Sequence, residues 1–145
     1  IKELERCKEI GLLGIQIGSN INDKNLSEPE FFPIFEACQE LGMAVMVHPW
    51  NMMGMEHMRK YWLPWLVGMP AETARAACCL SMGGVLDRLP DLRIGLAHGG
   101  GSFPFTIGRI AHGPDPAGDA EGHAGALRRL PHRGACPGTA CGHPA

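Results

Sequence analysis

The sequence predicts an α/β fold, and two stretches with the same pattern carry this prediction. Residues 43–47 and 92–97 are short apolar runs, and each is followed directly by a histidine. A proline or a glycine triplet then ends each run. In α/β proteins the carboxyl ends of the strands form the floor of the active site. His48 and His98 are therefore the first candidate site residues.

Helical patterns alternate with these strands. Residues 1–10 have the spacing of an amphipathic helix, and residues 12–17 are apolar with little alternation, which is typical of a buried strand. Ser27 is the candidate N-cap of the next helix. The apolar positions of that helix recur every three or four residues: Phe31, Ile34, Phe35, Cys38 and Leu41. This strand–helix–strand order predicts a parallel pair of strands.

A bulky apolar segment follows His48. Residues 51–66 contain four methionines and three aromatic residues, which predicts a pocket wall or a subunit contact. Pro70 fits the first turn of a helix over residues 71–82, with Glu72 near the positive end of its dipole. The small residues predicted to face the sheet are Ala74, Ala77, Cys78 and Ser81. With the strand that ends at His98, about three strands are predicted in all.

Composition limits the class of protein. The chain has 145 residues, of which 45% are hydrophobic, enough for one domain core. A net charge of -2 excludes the basic surface that a nucleic-acid partner needs. No apolar run approaches the ~20 residues of a membrane helix, so no membrane partner is expected. Four of the six cysteines lie in helix-like stretches, which predicts free thiols in a cytoplasmic protein: Cys7, Cys38, Cys78 and Cys79.

The character of the chain changes after His112. Residues 113–145 are dominated by Gly, Pro, Ala, Arg and His and contain no aromatic residue. The composition predicts a disordered tail that follows an α/β region over residues 1–112. The abruptness of the change supports a second hypothesis, that this segment is translated out of frame. The spacing of Cys136, Cys141 and His143 matches no standard zinc motif.

Four longer motifs identify a family. They are HPWNMMGM from His48, KYWLPWLVGMPAET from Lys60, MGGVLDRLPDL from Met82 and LAHGGGSFPFTIGRIAHG from Leu96. Through them residues 1–113 resemble the aminocarboxymuconate-semialdehyde decarboxylases of the amidohydrolase superfamily. The resemblance implies that residues 1–112 form part of a (β/α)8 barrel, about three strands with their helices. It also implies a zinc-dependent homodimer that decarboxylates a small carboxylate substrate in tryptophan–kynurenine breakdown. The family's HPWD motif appears here with Asn51 in place of the aspartate.

The resemblance also implies a role for each candidate residue. His48 matches a zinc ligand on the fifth barrel strand, and His98 matches the catalytic acid/base on the sixth. Trp65, ahead of Trp62, matches a tryptophan of the substrate pocket. Arg109 matches an arginine that reaches the neighbouring subunit's active site and binds a substrate carboxylate. Zinc lowers the pKa of bound water toward ~7. In the family's chemistry hydroxide adds to the conjugated acid and carbon dioxide leaves.

Much of such a site is missing from this sequence. A complete barrel takes ~250 residues and eight strands. The family's other zinc ligands are an HxH pair and a late aspartate, and the sequence contains neither an HxH pair nor a matching strand-end aspartate. One histidine does not hold zinc tightly, so the chain alone is predicted to be inactive. His57 is predicted to lie on the surface or at the pocket rim, and His112 at a helix end.

Three alternatives remain open on the sequence. The first is another amidohydrolase-type decarboxylase or a hydrolase, with the metal and His98 retained but a different substrate. The Trp62–Trp65 segment and Arg109 favour the dicarboxylate substrate of the aminocarboxymuconate-semialdehyde decarboxylases over this alternative. The second is a truncated, non-catalytic product, which the missing HxH pair and the tail favour. The third is a small self-contained α/β module formed by residues 1–112.

Overall fold

The computed structural model describes residues 1–111. In chain order the elements are α1 (Lys2–Glu9), β1 (Gly14–Ile17), β2 (Asn20–Ile21), β3 (Lys24–Asn25), α2 (Phe32–Glu40), β4 (Ala44–Val47), α3 (Met69–Met82), α4 (Val85–Arg88), β5 (Ile94–Leu96) and α5 (Phe103–Ala111). Three 3-10 turns (Pro29–Phe31, Met55–His57 and His98–Gly100) and a π-helical turn (Pro64–Gly68) connect them. The helices and strands alternate, as an α/β fold requires.

The main sheet has three parallel strands in the order β1-β4-β5. Val45 pairs with Ile15 on one side and with Ile94 on the other, so β4 is the central strand. Helix α2 connects β1 to β4, and α3 and α4 connect β4 to β5. The predicted parallel strand–helix–strand unit is confirmed. The core lies between the sheet and these helices, where Phe35 and Val45 are both 0% exposed.

Two predicted details near the first strand are wrong. The strand begins at Gly14, not at residue 12, because Leu12 and Leu13 are exposed. Ser27 does not cap a helix, since the 3-10 turn before α2 begins after Glu28 and has no side-chain cap. Ser27 instead packs closely against Gly83, where an added Cβ would lie 2.3 Å from the Ser27 Cβ.

The loop after β1 contains a small antiparallel hairpin, β2-β3, that periodicity did not predict. Asn22 and Asp23 form its two-residue turn with φ values of 51° and 62°. Positive φ at both central residues is the conformation that Asn and Asp favour in tight hairpins. The hairpin carries Asn20 past the end of β1, where it enters the network described below.

The buried face of α3 lies partly where it was not expected. Ala77 and Ser81 are buried as predicted, but Ala74 and Cys78 are only half-buried. The complete set of buried residues is Met69, Glu72, Thr73, Ala76, Ala77, Leu80 and Ser81. The prediction followed the small side chains, whereas the helix also buries, besides Ser81, two polar residues that the prediction left out. Those two, Glu72 and Thr73, lie at the site.

The four cysteines of the described residues are free, as predicted: Cys7, Cys38, Cys78 and Cys79. Burial raises the pKa of the Cys38, Cys78 and Cys79 thiols above the ordinary value. Among residues 1–111 no helix is both long enough and apolar enough to cross a membrane. The predicted tail, His112 and the Cys136–His143 spacing lie outside the described residues.

Candidate functional site

Two histidines meet at the carboxyl edge of the sheet. Strands β4 and β5 are neighbours, with Val47 paired to Leu96. His48 follows β4 directly and His98 lies two residues beyond β5. Their ring centroids are 5.0 Å apart and the rings are tilted by 55°. The structure therefore brings together the two histidines that the sequence singled out.

A hydroxyl from α3 holds the ring of His98. The Oγ1 atom of Thr73 lies 3.2 Å from His98 Nδ1. The same hydroxyl is 2.9 Å from the carbonyl oxygen of Met69, to which it donates. Thr73 is fully buried, whereas the His98 side chain is exposed at the sheet edge. His98 is thus anchored through one ring nitrogen to the core-facing side of a helix.

The glycine triplet after His98 allows this approach to α3. Gly101 has a φ of 61°, in the left-handed region that favours glycine. A Cβ at this position would lie 2.2 Å from the Pro70 carbonyl oxygen and 2.9 Å from the Thr73 Cβ. The backbone N–H of Ser102 donates to the same Pro70 oxygen at 3.2 Å. Only glycine fits here, and the loop after β5 is tied to the first turn of α3.

A buried carboxylate ties the loops after β1 and β4 to the same helix. Glu72 is 0% exposed. Its Oε2 accepts hydrogen bonds from Ser19 Oγ at 2.9 Å, Asn20 Nδ2 at 3.4 Å and Arg75 Nη2 at 2.9 Å. Its Oε1 accepts the backbone N–H of Met53 at 2.9 Å. The carboxylate therefore satisfies donors from three segments, which is what a buried charge needs.

Asn20 extends this network to the segment after His48. Its Nδ2 atom also donates to the Asn51 carbonyl oxygen at 3.0 Å. Asn51 contributes its backbone here and its side chain is exposed. Two buried polar atoms of the network, Asn20 Oδ1 and Arg75 Nε, have no partner within residues 1–111. The three strand-end loops are thus positioned by residues 70–75 of one helix.

The other two predicted site residues lie on exposed surface. Trp65 is 51% exposed in the π-helical turn, and its ring packs against that of Trp62 at a centroid distance of 5.1 Å. Arg109 is exposed on α5 and forms no ion pair within the part of the chain described. Phe105, one turn earlier, is 92% exposed. Within residues 1–111, no hydrogen bond or ring contact joins Trp65 or Arg109 to His48 or His98.

The described residues do not form a complete metal site. Across residues 1–111 no group of three or more His, Cys, Asp or Glu side chains is arranged to hold a metal ion. A zinc site takes three or four protein ligands, and His48 is the single predicted ligand here. His57 lies on the surface, as predicted, with its side chain 85% exposed beside Glu56.

Sequence reasoning missed the parts played by Glu72 and Thr73. Glu72 was interpreted as a carboxylate at a helix start, and Thr73 was not singled out. The partner of Glu72, Ser19, is 53 residues away, so no local pattern reveals the contact. The available signal was two adjacent polar residues in the first turns of a helix rich in alanine and other apolar residues.

Comparison with known proteins adds independent information. The amidohydrolase family profile matches residues 1–138. The chain is 65% identical over 114 residues to the 2-amino-3-carboxymuconate-6-semialdehyde decarboxylase of Dictyostelium discoideum, covering 78% of this chain and 32% of the relative. The Caenorhabditis elegans protein of the same name is 35% identical over 142 residues, covering 77% and 35%. The chain thus spans about a third of the length of these curated relatives.

Solved structures of decarboxylases share the fold. The 5-carboxyvanillate decarboxylase of Sphingomonas paucimobilis superposes with a TM-score of 0.70 at 32% identity, covering 82% of this chain and 36% of that one. A dihydroxybenzoic acid decarboxylase from Polaromonas, with bound manganese and 2-nitroresorcinol, gives a TM-score of 0.62 at 27% identity, covering 82% and 38%. These neighbours are TIM-barrel amidohydrolases. The predicted partial (β/α)8 barrel is confirmed.

Proposed function

We propose that this chain, which belongs to the amidohydrolase family, is the central part of a carboxy-lyase that acts on 2-amino-3-carboxymuconate 6-semialdehyde. The observation that carries the proposal is the 65% identity to the Dictyostelium discoideum decarboxylase over 114 residues. Because the chain covers 32% of that relative, the activity is proposed for a longer chain that contains this one. Residues 1–145 alone are proposed to be inactive.

His48 and His98 are proposed to act at one centre. His48 would supply one donor to a metal ion, zinc by the resemblance, and the other donors would come from chain outside residues 1–111. Loss of carbon dioxide leaves an electron pair on the carbon that carried the carboxylate, and a proton must replace the carboxylate there. His98, next to His48 at a strand end, is proposed to move that proton as a general acid/base.

Trp65 and Arg109 are proposed to bind substrate. A guanidinium pairs with a carboxylate through two parallel hydrogen bonds, and an indole face stacks on a conjugated acid. Arg109 is proposed to act in the neighbouring subunit of a homodimer. The 92% exposed Phe105, one turn before Arg109, supports a surface that a second subunit covers.

The setting is proposed to be cytoplasmic tryptophan–kynurenine catabolism. The free thiols support a cytoplasmic location, since cytosolic proteins keep their cysteines reduced. The pathway is inferred from the substrate after which both relatives are named, 2-amino-3-carboxymuconate 6-semialdehyde.

A second substrate class has its own support. The structural neighbours include decarboxylases of 5-carboxyvanillate and of 2,6-dihydroxybenzoate. A hydroxybenzoate-type acid also loses its carboxylate at an sp² carbon, so His98 would serve both reactions. The lower identity of these proteins, 32% and 25%, favours the muconate semialdehyde.

The test is a substrate comparison in the longer chain. Carbon dioxide release is measured with 2-amino-3-carboxymuconate 6-semialdehyde and with 2,6-dihydroxybenzoate. The first substrate should turn over, and His98→Ala should lower kcat by about 100-fold or more, the usual contribution of a general acid/base. His57→Ala, at an exposed histidine, is the matched control and should change neither kcat nor KM. Turnover of the benzoate alone would contradict the proposal and favour the second class.

A further inference from the structure

We propose that Thr73 is a positioning residue for His98. Its hydroxyl holds the neutral imidazole in the Nδ1–H tautomer and leaves Nε2 unprotonated and free to accept a proton. The catalytic part of this proposal rests on the proposed function of His98. The structural part, which concerns the tautomer, stands on the hydrogen-bond geometry by itself.

The direction of each hydrogen bond follows from the donor inventory. A threonine hydroxyl has one proton to donate, and a backbone carbonyl only accepts. Thr73 Oγ1 lies 2.9 Å from the Met69 carbonyl oxygen, so the hydroxyl proton is committed to that bond. Toward His98 Nδ1, at 3.2 Å, the Thr73 oxygen is an acceptor. A neutral imidazole has one N–H, and only the Nδ1–H tautomer completes this pair.

The two partners are held in place independently. Thr73 is 0% exposed, and its β-branched side chain has few rotamers available in a helix. The Ser102 N–H bonds to the Pro70 oxygen and fixes the loop that carries His98. His98 itself has a φ of 56°, a left-handed conformation that a non-glycine residue keeps only where its surroundings enforce it.

The tautomer matters because His98 has little else to orient it. Its side chain is exposed, and within residues 1–111 Thr73 is the only side chain hydrogen-bonded to its ring. In a histidine that moves protons, the partner of one ring nitrogen decides which nitrogen faces the reaction. Without the hydroxyl, both tautomers become accessible and the ring is free to turn.

The direct test is the nitrogen NMR spectrum of the chain with ¹⁵N-labelled histidine, at an alkaline pH where imidazoles are neutral. His98→Ala assigns the signals. We expect His98 to carry its proton on Nδ1, Thr73→Val to shift the population toward Nε2–H, and Thr73→Ser to retain Nδ1–H. Thr106→Val is the matched control, because Thr106 makes the same bond to a carbonyl four residues earlier, at 2.9 Å, and should leave the His98 signals unchanged.

Three results overturn the proposal. They are a wild-type His98 protonated on Nε2, a folded Thr73→Val chain with an unchanged tautomer, and a Thr73→Ser chain that loses Nδ1–H. If Thr73→Val does not fold, the His98 signals of the wild-type chain and of Thr73→Ser still test the proposed tautomer. In the longer chain, Thr73→Val should lower kcat about tenfold, the effect of one hydrogen bond, with KM little changed. An inactive wild-type longer chain contradicts the proposed function and leaves the tautomer result standing.

Discussion

The interior of the sheet layer and the segment over residues 50–67 are both strongly apolar, yet they end in opposite environments. Phe35 and Val45 are 0% exposed, whereas Trp50 is 75% and Trp62 is 71% exposed. In the first region, the sheet packs against the helices that connect its strands, and this contact excludes water. In the second, the Trp62 and Trp65 rings contact each other, yet both remain more than half exposed within residues 1–111. The comparison teaches that the contact between the sheet and its helices excludes water within residues 1–111, whereas the segment over residues 50–67 leaves its aromatic rings largely exposed there.

The largest expected effect separates these two regions directly. Phe35→Ala leaves a cavity in the core and should lower the free energy of unfolding by about 3–5 kcal/mol. Trp62→Ala removes a larger ring from exposed surface and should change it by less than about 0.5 kcal/mol. Urea unfolding of both variants of this chain measures the difference. A comparable loss for Trp62→Ala would show that the outer segment is packed like the core.

A matched pair of ion pairs sharpens the comparison. Glu72–Arg75 and Glu3–Arg6 both join residues three apart, but Glu72 is 0% exposed and the Glu3 side chain is 70% exposed. Glu72→Gln puts an amide N–H₂ against buried donors and should cost about 2 kcal/mol. Glu3→Gln, on a solvated pair, should produce no measurable change in the urea midpoint. Equal effects would contradict the account of the Glu72 network.

Two glycines test how closely the loop after β5 is held to α3. Gly101→Ala places a Cβ against the Pro70 carbonyl oxygen in a left-handed conformation and should destabilise by about 1–3 kcal/mol. Gly108→Ala, in α5 where a Cβ meets open space, should stabilise by about 0.5–1 kcal/mol. Thermal unfolding reports both. The His98 NMR signals should move in the first variant alone, and unchanged signals in Gly101→Ala would argue against a rigid loop.

The smallest expected effect is a loss of stability at alkaline pH. Burial raises the pKa of the Cys38 thiol in the folded chain, so folding favours the protonated form. This contribution is fully present below the unfolded thiol's pKa of ~8.5 and is lost as the pH rises through the folded value. Cys38 should therefore lower the free energy of unfolding above about pH 8.5, by at most about 1.4 kcal/mol per pH unit from this one thiol. Cys38→Ala should flatten that slope, and an equally steep slope in the variant would contradict the assignment.

The order of elements and the meeting of His48 with His98 were predictable from the sequence. Each histidine follows a short apolar run, and parallel strands end at the same sheet edge. Three strands with intervening helices were expected, and the structure has them as β1, β4 and β5. These features depend on periodicity and on strand direction, which local sequence encodes.

The features that failed prediction depend on contacts across the chain. The β2-β3 hairpin has two residues in each strand, too short for alternation to be visible. Glu72 is buried because Ser19, Asn20 and Met53 arrive from other segments. The buried face of α3 was predicted correctly at Ala77 and Ser81 but not at Ala74 and Cys78. Small side chains alone suggested this face, whereas the polar Glu72 and Thr73 occupy part of it.

The central proposal is that this chain supplies one ligand, His48, of a metal-dependent site and that the other metal ligands lie outside it. Metal content measures this most directly, by comparing purified residues 1–145 with the longer chain after dialysis in zinc. We expect no stoichiometric metal in residues 1–145, about one ion per subunit in the longer chain, and loss of that ion in the longer chain with His48→Ala. A full equivalent of zinc with decarboxylase turnover in residues 1–145 alone would contradict the account.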